Sequence, residues 1–361
     1  MPRRAKLPGQ YLHCQVLRKE VLKMEKLGYY KPVPCGFTGG WEKYSGEKPL
    51  FGGAMGTVFD CYVIIEDGLF KMWYSWRPTN TIVYATSTDG IHWTLPRVVL
   101  TWDPDSDWER DDVSRPSLIK KDGIYHMWYT GHVWGERKCI SSIGYATSTD
   151  GIHWKKNKNP VLVADQPWER QSLWCSHVIW EEDEQIYKMW YSGGASWMAE
   201  ADAIGYATSK DGVNWNKHPD NPIFKPDPDI HWEMYKVSAN YVWKHDGWYY
   251  MTYLGSDSDM RAANGMARSR DGIHWQRHPD NPTFGAIEGD WDCAGNCKAT
   301  VVDTGDGYMA WYNGFNNTLE EMGLAIHKGY DFGFPPEGET RINVRGNYPC
   351  KPLINKCPFD K

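Results

Sequence analysis

Apolar and polar residues alternate in short runs along most of this chain, and the runs recur. IVYATSTDGIHW (82–93), IGYATSTDGIHW (143–154), IGYATSKDGVNW (204–215) and NGMARSRDGIHW (264–275) follow one another at intervals of about 60 residues. A decayed fifth copy, MGLAIHKGYDFG, begins at Met322. Each phrase is an alternating run, an Asp-Gly pair and a second short run, which predicts a hairpin with a two-residue type I′ turn. Upstream of each lies another strand-like run: FKMWYSW, YHMWYTG, YKMWYSGG, YYMTYLG and YMAWYNG. Before that comes a third: DCYVII, RPSLIKK, SHVIW, ANYVWK and CKATVV. The repeat therefore predicts an all-β chain, a five-bladed β-propeller of four-stranded antiparallel blades.

Helical spacing is confined to Tyr11–Leu27, where Leu12, Val16, Leu17, Val21, Leu22 and Met24 recur, so a short N-terminal helix is expected there. The fifth unit has no outer strand after Gly329, because the chain turns to Pro335, Pro336 and Gly338. Trp41-Glu42-Lys43-Tyr44 followed by Pro49-Leu50-Phe51 mimics Trp215-Asn216-Lys217-His218 followed by Pro222-Ile223-Phe224. The N-terminal segment is thus expected to supply the missing strand and close the ring, which removes exposed sheet edges. The organisation is one domain: helix and extension over 1–38, propeller over 39–330, and a tail over 331–361 against the ring or a partner.

A net charge of −6 and the absence of a basic stripe argue against nucleic acid or an anionic membrane as partner. No apolar run reaches the length of a bilayer span, and the basic N-terminus has no apolar stretch after it to read as a secretory signal. Nine scattered cysteines, among them Cys293 and Cys297 in one loop and Cys350 and Cys357 in the tail, read as reduced thiols, so a cytoplasmic location is expected. No Cys/His clustering suggests zinc. No cofactor is expected, apart from a possible structural cation in the central channel or phosphate as a co-substrate. The 21 Trp and 22 Tyr are the unusual numbers. Trp73, Trp128, Trp190 and Trp311 with the tyrosines that follow them, and Trp93, Trp154, Trp215 and Trp275 of the hairpins, read as packing between blades. Trp76, Trp134, Trp174 and Trp197 stand outside the repeat and are candidates to face a ligand.

In a propeller the inner strands line a funnel where a ligand pocket is expected. The channel-facing strand starts align Asp60, Arg115, Ser176, Ala239 and Ala299, each within about one residue, with His177, Lys236, Asn240 and Lys298 close by. Asp60 is the carboxylate on that row. Trp108-Glu109, Trp168-Glu169, Trp232-Glu233 and Trp291-Asp292 precede four blades; a catalytic acid does not need four copies, so these read as groups bonding backbone in the lead-in loops. Asp112 has no counterpart in other blades, and Asp257 and Asp259 interrupt what is Gly-Gly in the preceding blade. Tryptophan faces with Arg, His, Asn and carboxylates fit an oligosaccharide or glycoside. Cleaving a glycosidic bond takes two carboxyl groups, which Asp60 with Asp112, Asp257 or Asp259 could supply.

Pro116-Ser117-Leu118-Ile119, Asp122 to Tyr129 and Ile143 to Ser148 look much like blades of the five-bladed propeller superfamily of glycoside hydrolase families 43, 32, 62, 68, 117 and 130, a resemblance covering Gly39 to Lys328. It implies a glycosidase in which Asp60, within Phe59-Asp60-Cys61-Tyr62-Val63-Ile64, matches the first-blade general base or nucleophile, with Cys61 replacing the usual Pro. Ser114-Arg115-Pro116 corresponds to the Arg-Asp-Pro element of the fructosidase-like members but lacks its Asp. Ser238-Ala239-Asn240 stands where the general acid element is expected. Arg115, His177, Lys236 and Lys298 instead form a basic set, similar to the inverting phosphorylases of family 130, where phosphate replaces water. Three readings follow: a glycoside hydrolase using Asp60, an inverting phosphorylase, and a non-catalytic sugar-binding propeller.

Overall fold

The computed structural model describes residues 36–46, 48–135, 138–195, 200–258, 261–287, 289–316 and 319–339. The expected helix over 11–27, Trp197, Asp259, Cys350 and Cys357 lie outside them. Five four-stranded antiparallel sheets form the blades. From inner to outer edge, the first is Val58–Glu66, Leu69–Trp76, Thr81–Ser87 and Arg97–Leu100. The second is Asp112–Lys121, Ile124–Gly135, Lys138–Ser148 and Lys155–Lys156, and the third is Leu173–Glu181, Ile186–Gly193, Ala203–Ser209 and Asn216–Lys217. The fourth is Lys236–His245, Trp248–Ser256, Ala262–Ser269 and Gln276–Arg277. The fifth is Gly295–Asp303, Gly307–Phe315 and Glu320–Lys328, and its outer strand is Trp41–Lys43, with Trp41 opposite His327 and Lys43 opposite Ala325.

The type I′ turns sit elsewhere than expected. Both central residues have positive φ at Asp67-Gly68, Asp122-Gly123 and Asp246-Gly247, which join inner to second strands. In the repeated phrase only the glycine is left-handed, as at Gly90 with φ 75°. There the aspartate folds the loop through its side chain: Asp89 Oδ1 accepts the Ile91 and His92 amides, both at 2.8 Å, and Ser87 Oγ accepts Gly90 N at 2.9 Å. This local capping competes successfully with a two-residue turn.

Blades are joined by indoles. Trp73, Trp128, Trp190 and Trp311 are fully buried, and each donates Nε1 to the hairpin glycine carbonyl of the next blade: Gly151, Gly212, Gly272 and Gly90. The fourth blade has Thr252 in that place. Its seam with the fifth is filled by Phe332, whose ring lies 5.1 Å from Tyr250, 5.3 Å from Tyr308, 4.5 Å from His327 and 5.9 Å from Trp41. The described part of the tail thus packs on the ring.

The Trp-Glu carboxylates chiefly bond side chains rather than the backbone expected of them. Each carboxylate ties a second-strand tyrosine to an outer-strand cation: Glu109 to Tyr129 and Lys156, Glu169 to Tyr191 and Lys217, Glu233 to Tyr253 and Arg277, Asp292 to Tyr312 and Lys43. Glu169 also accepts two loop amides. The preceding indole covers a third-strand glycine: a Cβ at Gly144, Gly265 or Gly323 would stand 2.4–2.6 Å from Trp108, Trp232 or Trp291. The first blade has no such tryptophan and carries Val83 instead, so the Gly/Val difference inside the repeated phrase reports whether an indole lies overhead.

In the last blade the cation is Lys43, 2.5 Å from the fully buried Asp292 and 3.0 Å from Asp290. Lys43→Ala should destabilise the protein by about 3–5 kcal/mol, because it leaves a buried carboxylate unpaired. Lys48→Ala, which removes a more exposed pair to Asp290, should cost under about 1 kcal/mol. Urea midpoints of the two variants check this; equal losses would refute the clamp.

Among the described residues no helix is long and apolar enough to cross a membrane. Cys293 is in a disulfide, a departure from the expected reduced thiols, whereas Cys61, Cys175 and Cys297 are free and buried.

Candidate active site

Every inner strand breaks register near its start: between Phe59 and Tyr62, Ser114 and Ser117, Trp174 and His177, Ser238 and Tyr241, and Asn296 and Ala299. A bulge of this kind re-aims side chains. In four blades its first residue is left-handed: Asp60, Arg115, Cys175 and Ala239 have φ of 47°, 57°, 46° and 51°. Two aligned positions therefore move. Cys175, not Ser176, is the third-blade counterpart of Asp60, and in the fifth blade the bulge is Cys297-Lys298, while Ala299 pairs normally with Tyr312. Non-glycine residues stay left-handed only where neighbours hold them. Here the preceding blade does so: Arg115 N donates to Ser75 Oγ (2.8 Å), Ala239 N to Ser192 Oγ (2.9 Å) and Asp60 N to Asn313 Oδ1 (2.9 Å).

Asp60 is buried on the funnel floor among donors. Asn313 Nδ2 donates to Oδ1 at 2.7 Å, the Cys175 thiol approaches Oδ2 at 3.5 Å, and Arg115 Nε lies 3.1 Å from Oδ2. Arg115 Nε is not aligned for a hydrogen bond, so that contact is a charge pair. Nη1 of Arg115 reaches Ser114 Oγ at 3.1 Å and His132 Nε2 at 3.2 Å. The guanidinium lies over Trp174 (4.6 Å) and Phe59 (5.2 Å), so one face of Trp174 is covered by Arg115. Burial drives His132 down to about 3, against the pull of Asp112 3.9 Å away, so it stays neutral at physiological pH. Its ring stacks on Trp134 at 4.7 Å. Burial pushes the Cys175 thiol well up, keeping it a donor towards Asp60.

Two acids not among the sequence candidates share this neighbourhood, since the charges of Asp60 and Glu200 both act on Glu320. Glu320 opens the third strand of the fifth blade, and Glu200 precedes the third strand of the third blade. Burial pushes Glu320 up to about 7, and the negative charges of Asp60 and Glu200 add to that, opposed by Arg77 and Arg115. Glu320 nevertheless keeps part of its surface open. Its signal in the sequence is position: two residues before the decayed phrase at Met322, where other blades carry no glutamate.

The remaining candidates disperse. Asp112 is buried against Arg77 Nη1 at 2.9 Å, near Asp60 only through Arg115. Asp257 turns back on its own loop, 2.5 Å from Arg261 Nε and accepting Arg261 N. Lys236 is bound to Asp202 (2.6 Å) and to the Glu200 carbonyl (2.7 Å). Asn240 donates to the Trp190 carbonyl, and Trp76 to that of Met55. His177 lies deeper, 4.2 Å from Tyr241, and burial holds it near 3 with Lys298 adding to the effect. Lys298 Nζ is buried and makes no hydrogen bond among the described residues. No group of three or more His, Cys, Asp or Glu among them could hold a metal ion.

Residues 58–330 match the family described as glycosyl hydrolases family 43. An uncharacterized protein of Mycobacterium tuberculosis is 31% identical over 245 residues, covering 61% of this chain and 76% of the relative. A 1,2-beta-oligomannan phosphorylase of Thermoanaerobacter sp. is 25% identical over 232 residues, covering 62% and 71%. A thermostable family-43 glycoside hydrolase superposes with a TM-score of 0.60 at 18% identity, over 81% of this chain and 96% of that one, a likeness of fold. The match takes in all five inner strands and the ring of residues around Asp60, and on it the chain belongs to the glycosyl hydrolases of family 43 and is a carbohydrate-active enzyme.

Proposed function

We propose that the protein hydrolyses a glycosidic bond, with Asp60 activating water and Glu320 protonating the leaving oxygen. One observation carries this reading: two carboxyl groups in mutual electrostatic reach have opposite surroundings. Asp60 faces a guanidinium, an amide and a thiol, whereas Glu320 is desolvated beside like charges and holds its proton up to about pH 7. A desolvated carboxyl that keeps its proton suits the acid, and a carboxyl ringed by donors suits the base. Both Asp60 oxygens already accept donors, which leaves lone pairs for a water's proton and makes direct attack on carbon the poorer use of the group. The water oxygen then bonds to the anomeric carbon, its proton passes to Asp60, and the departing oxygen takes the proton of Glu320.

Phosphorolysis fits less well. Three of the four basic residues that would cradle phosphate are already neutralised, Arg115 by Asp60, Lys236 by Asp202 and His177 by loss of its proton, which leaves the buried Lys298 alone to hold an anion. Turnover of aryl glycosides or oligosaccharides in phosphate-free buffer, with release of the free reducing sugar, is the expected result. Strict dependence on phosphate, with sugar phosphate as product, would overturn hydrolysis. Saturable sugar binding with no turnover at any pH would favour a binding propeller.

A further inference from the structure

The second strands repeat the triplet Trp73-Tyr74-Ser75, Trp128-Tyr129-Thr130, Trp190-Tyr191-Ser192, Thr252-Tyr253-Leu254 and Trp311-Tyr312-Asn313. Its third residue faces the bulge of the next blade. Ser75 and Ser192 accept that bulge's amide through a hydroxyl, which is all the backbone requires. Thr130 Oγ1 makes no hydrogen bond, and Leu254 has no side-chain acceptor to offer, so the seam tolerates even loss of this bond. Only where the next bulge carries Asp60 is the residue an asparagine. Its longer side chain does two things at once: Oδ1 accepts Asp60 N at 2.9 Å, and Nδ2 donates to Asp60 Oδ1 at 2.7 Å. Asn313 and Asp60 are both buried.

We propose that Asn313 is a positioning residue for Asp60, orienting its carboxylate while the same amide anchors its left-handed backbone. The proposal rests on the reading of Asp60 as the base. A hydroxyl at 313 would keep the anchor and lose the orienting bond, because it is too short to reach both atoms. The bond is charge-assisted and buried, the setting in which a hydrogen bond has most effect on geometry.

Asn313→Ser separates the two duties. In this variant kcat on a glycoside should fall about 10- to 100-fold with KM little changed, the size expected for a misplaced catalytic group. Ser192→Ala, which removes the same kind of seam bond where no carboxylate follows, should leave kcat as it is. A parallel melting comparison needs no turnover: Asn313→Ser should lower Tm in the Asp60 protein and not in an Asp60→Ala background. Unchanged kcat in Asn313→Ser, or equal Tm losses in both backgrounds, would overturn the proposal. If the unmutated protein cleaves no glycoside, the hydrolytic reading fails, and the melting comparison still decides whether Asn313 holds the carboxylate.

Discussion

Asp60→Asn should reduce kcat/KM by about 10²–10⁴-fold, the usual worth of a general base. The same change should also destabilise the protein, because Arg115 is left buried on the funnel floor without its anion; breaking such a pair from one side costs about 3–5 kcal/mol. The two effects are separable by assaying well below the variant's Tm with circular dichroism confirming native structure. Activity within a few-fold of the unmutated protein under those conditions would remove Asp60 from the mechanism.

Glu320→Gln should have the second-largest effect, and its signature is the pH profile. As the acid, Glu320 works only while protonated, so activity of the unmutated protein should fall as pH rises through about 7. Glu320→Gln should lower kcat by about 10²–10⁴-fold on substrates with a poor leaving group, and by much less on a dinitrophenyl glycoside, whose leaving oxygen needs no proton. The alkaline limb should vanish with it. Linkage gives a second readout. Between the ordinary value of 4.5 and about 7 the folded state binds a proton at Glu320 that the unfolded chain has released, so this group makes stability fall as pH rises across that window. The glutamine variant lacks the slope, and the Tm gap in its favour should open between pH 4.5 and 7 and stay constant above. Asp60, Glu200, Arg77 and Arg115 face the group and remain in both proteins, so the difference isolates Glu320. Loss of activity with an unchanged alkaline limb would assign the acid elsewhere.

The repeated phrase was enough to number the blades, because alternation, turn residues and buried indoles are local or nearly so. It even encoded a long-range contact, since glycine or valine at its second position follows the presence of a covering tryptophan. Asp60 and Arg115 were visible as departures from the repeat. Asn313, Cys175 and Glu320 were not, for three different reasons. Asn313 acts across the first-to-last seam, far away in sequence. Cys175 was displaced by one residue, because a bulge shifts which side chain points inward without changing composition. Glu320 owes its properties to burial beside other charges, which no spacing records. Asp257 pairs instead with an arginine four residues on, a local contact that its spacing in the loop already allowed.

The joint between the fourth and fifth blades is built from both ends of the ring-forming chain. Trp41 arrives from the strand paired with His327, Phe332 from just beyond that blade, and Thr252 has given up the indole used elsewhere. A ribosome would release Trp41–Lys43 first and its partner strand last. Four blades can therefore be complete, with Lys43 still without Asp292, while the protein is being made. Circularity is a property the ring acquires only after its last blade has been synthesised, so the interval before closure, with an unpaired edge on the growing product, is its period of greatest exposure to misassembly.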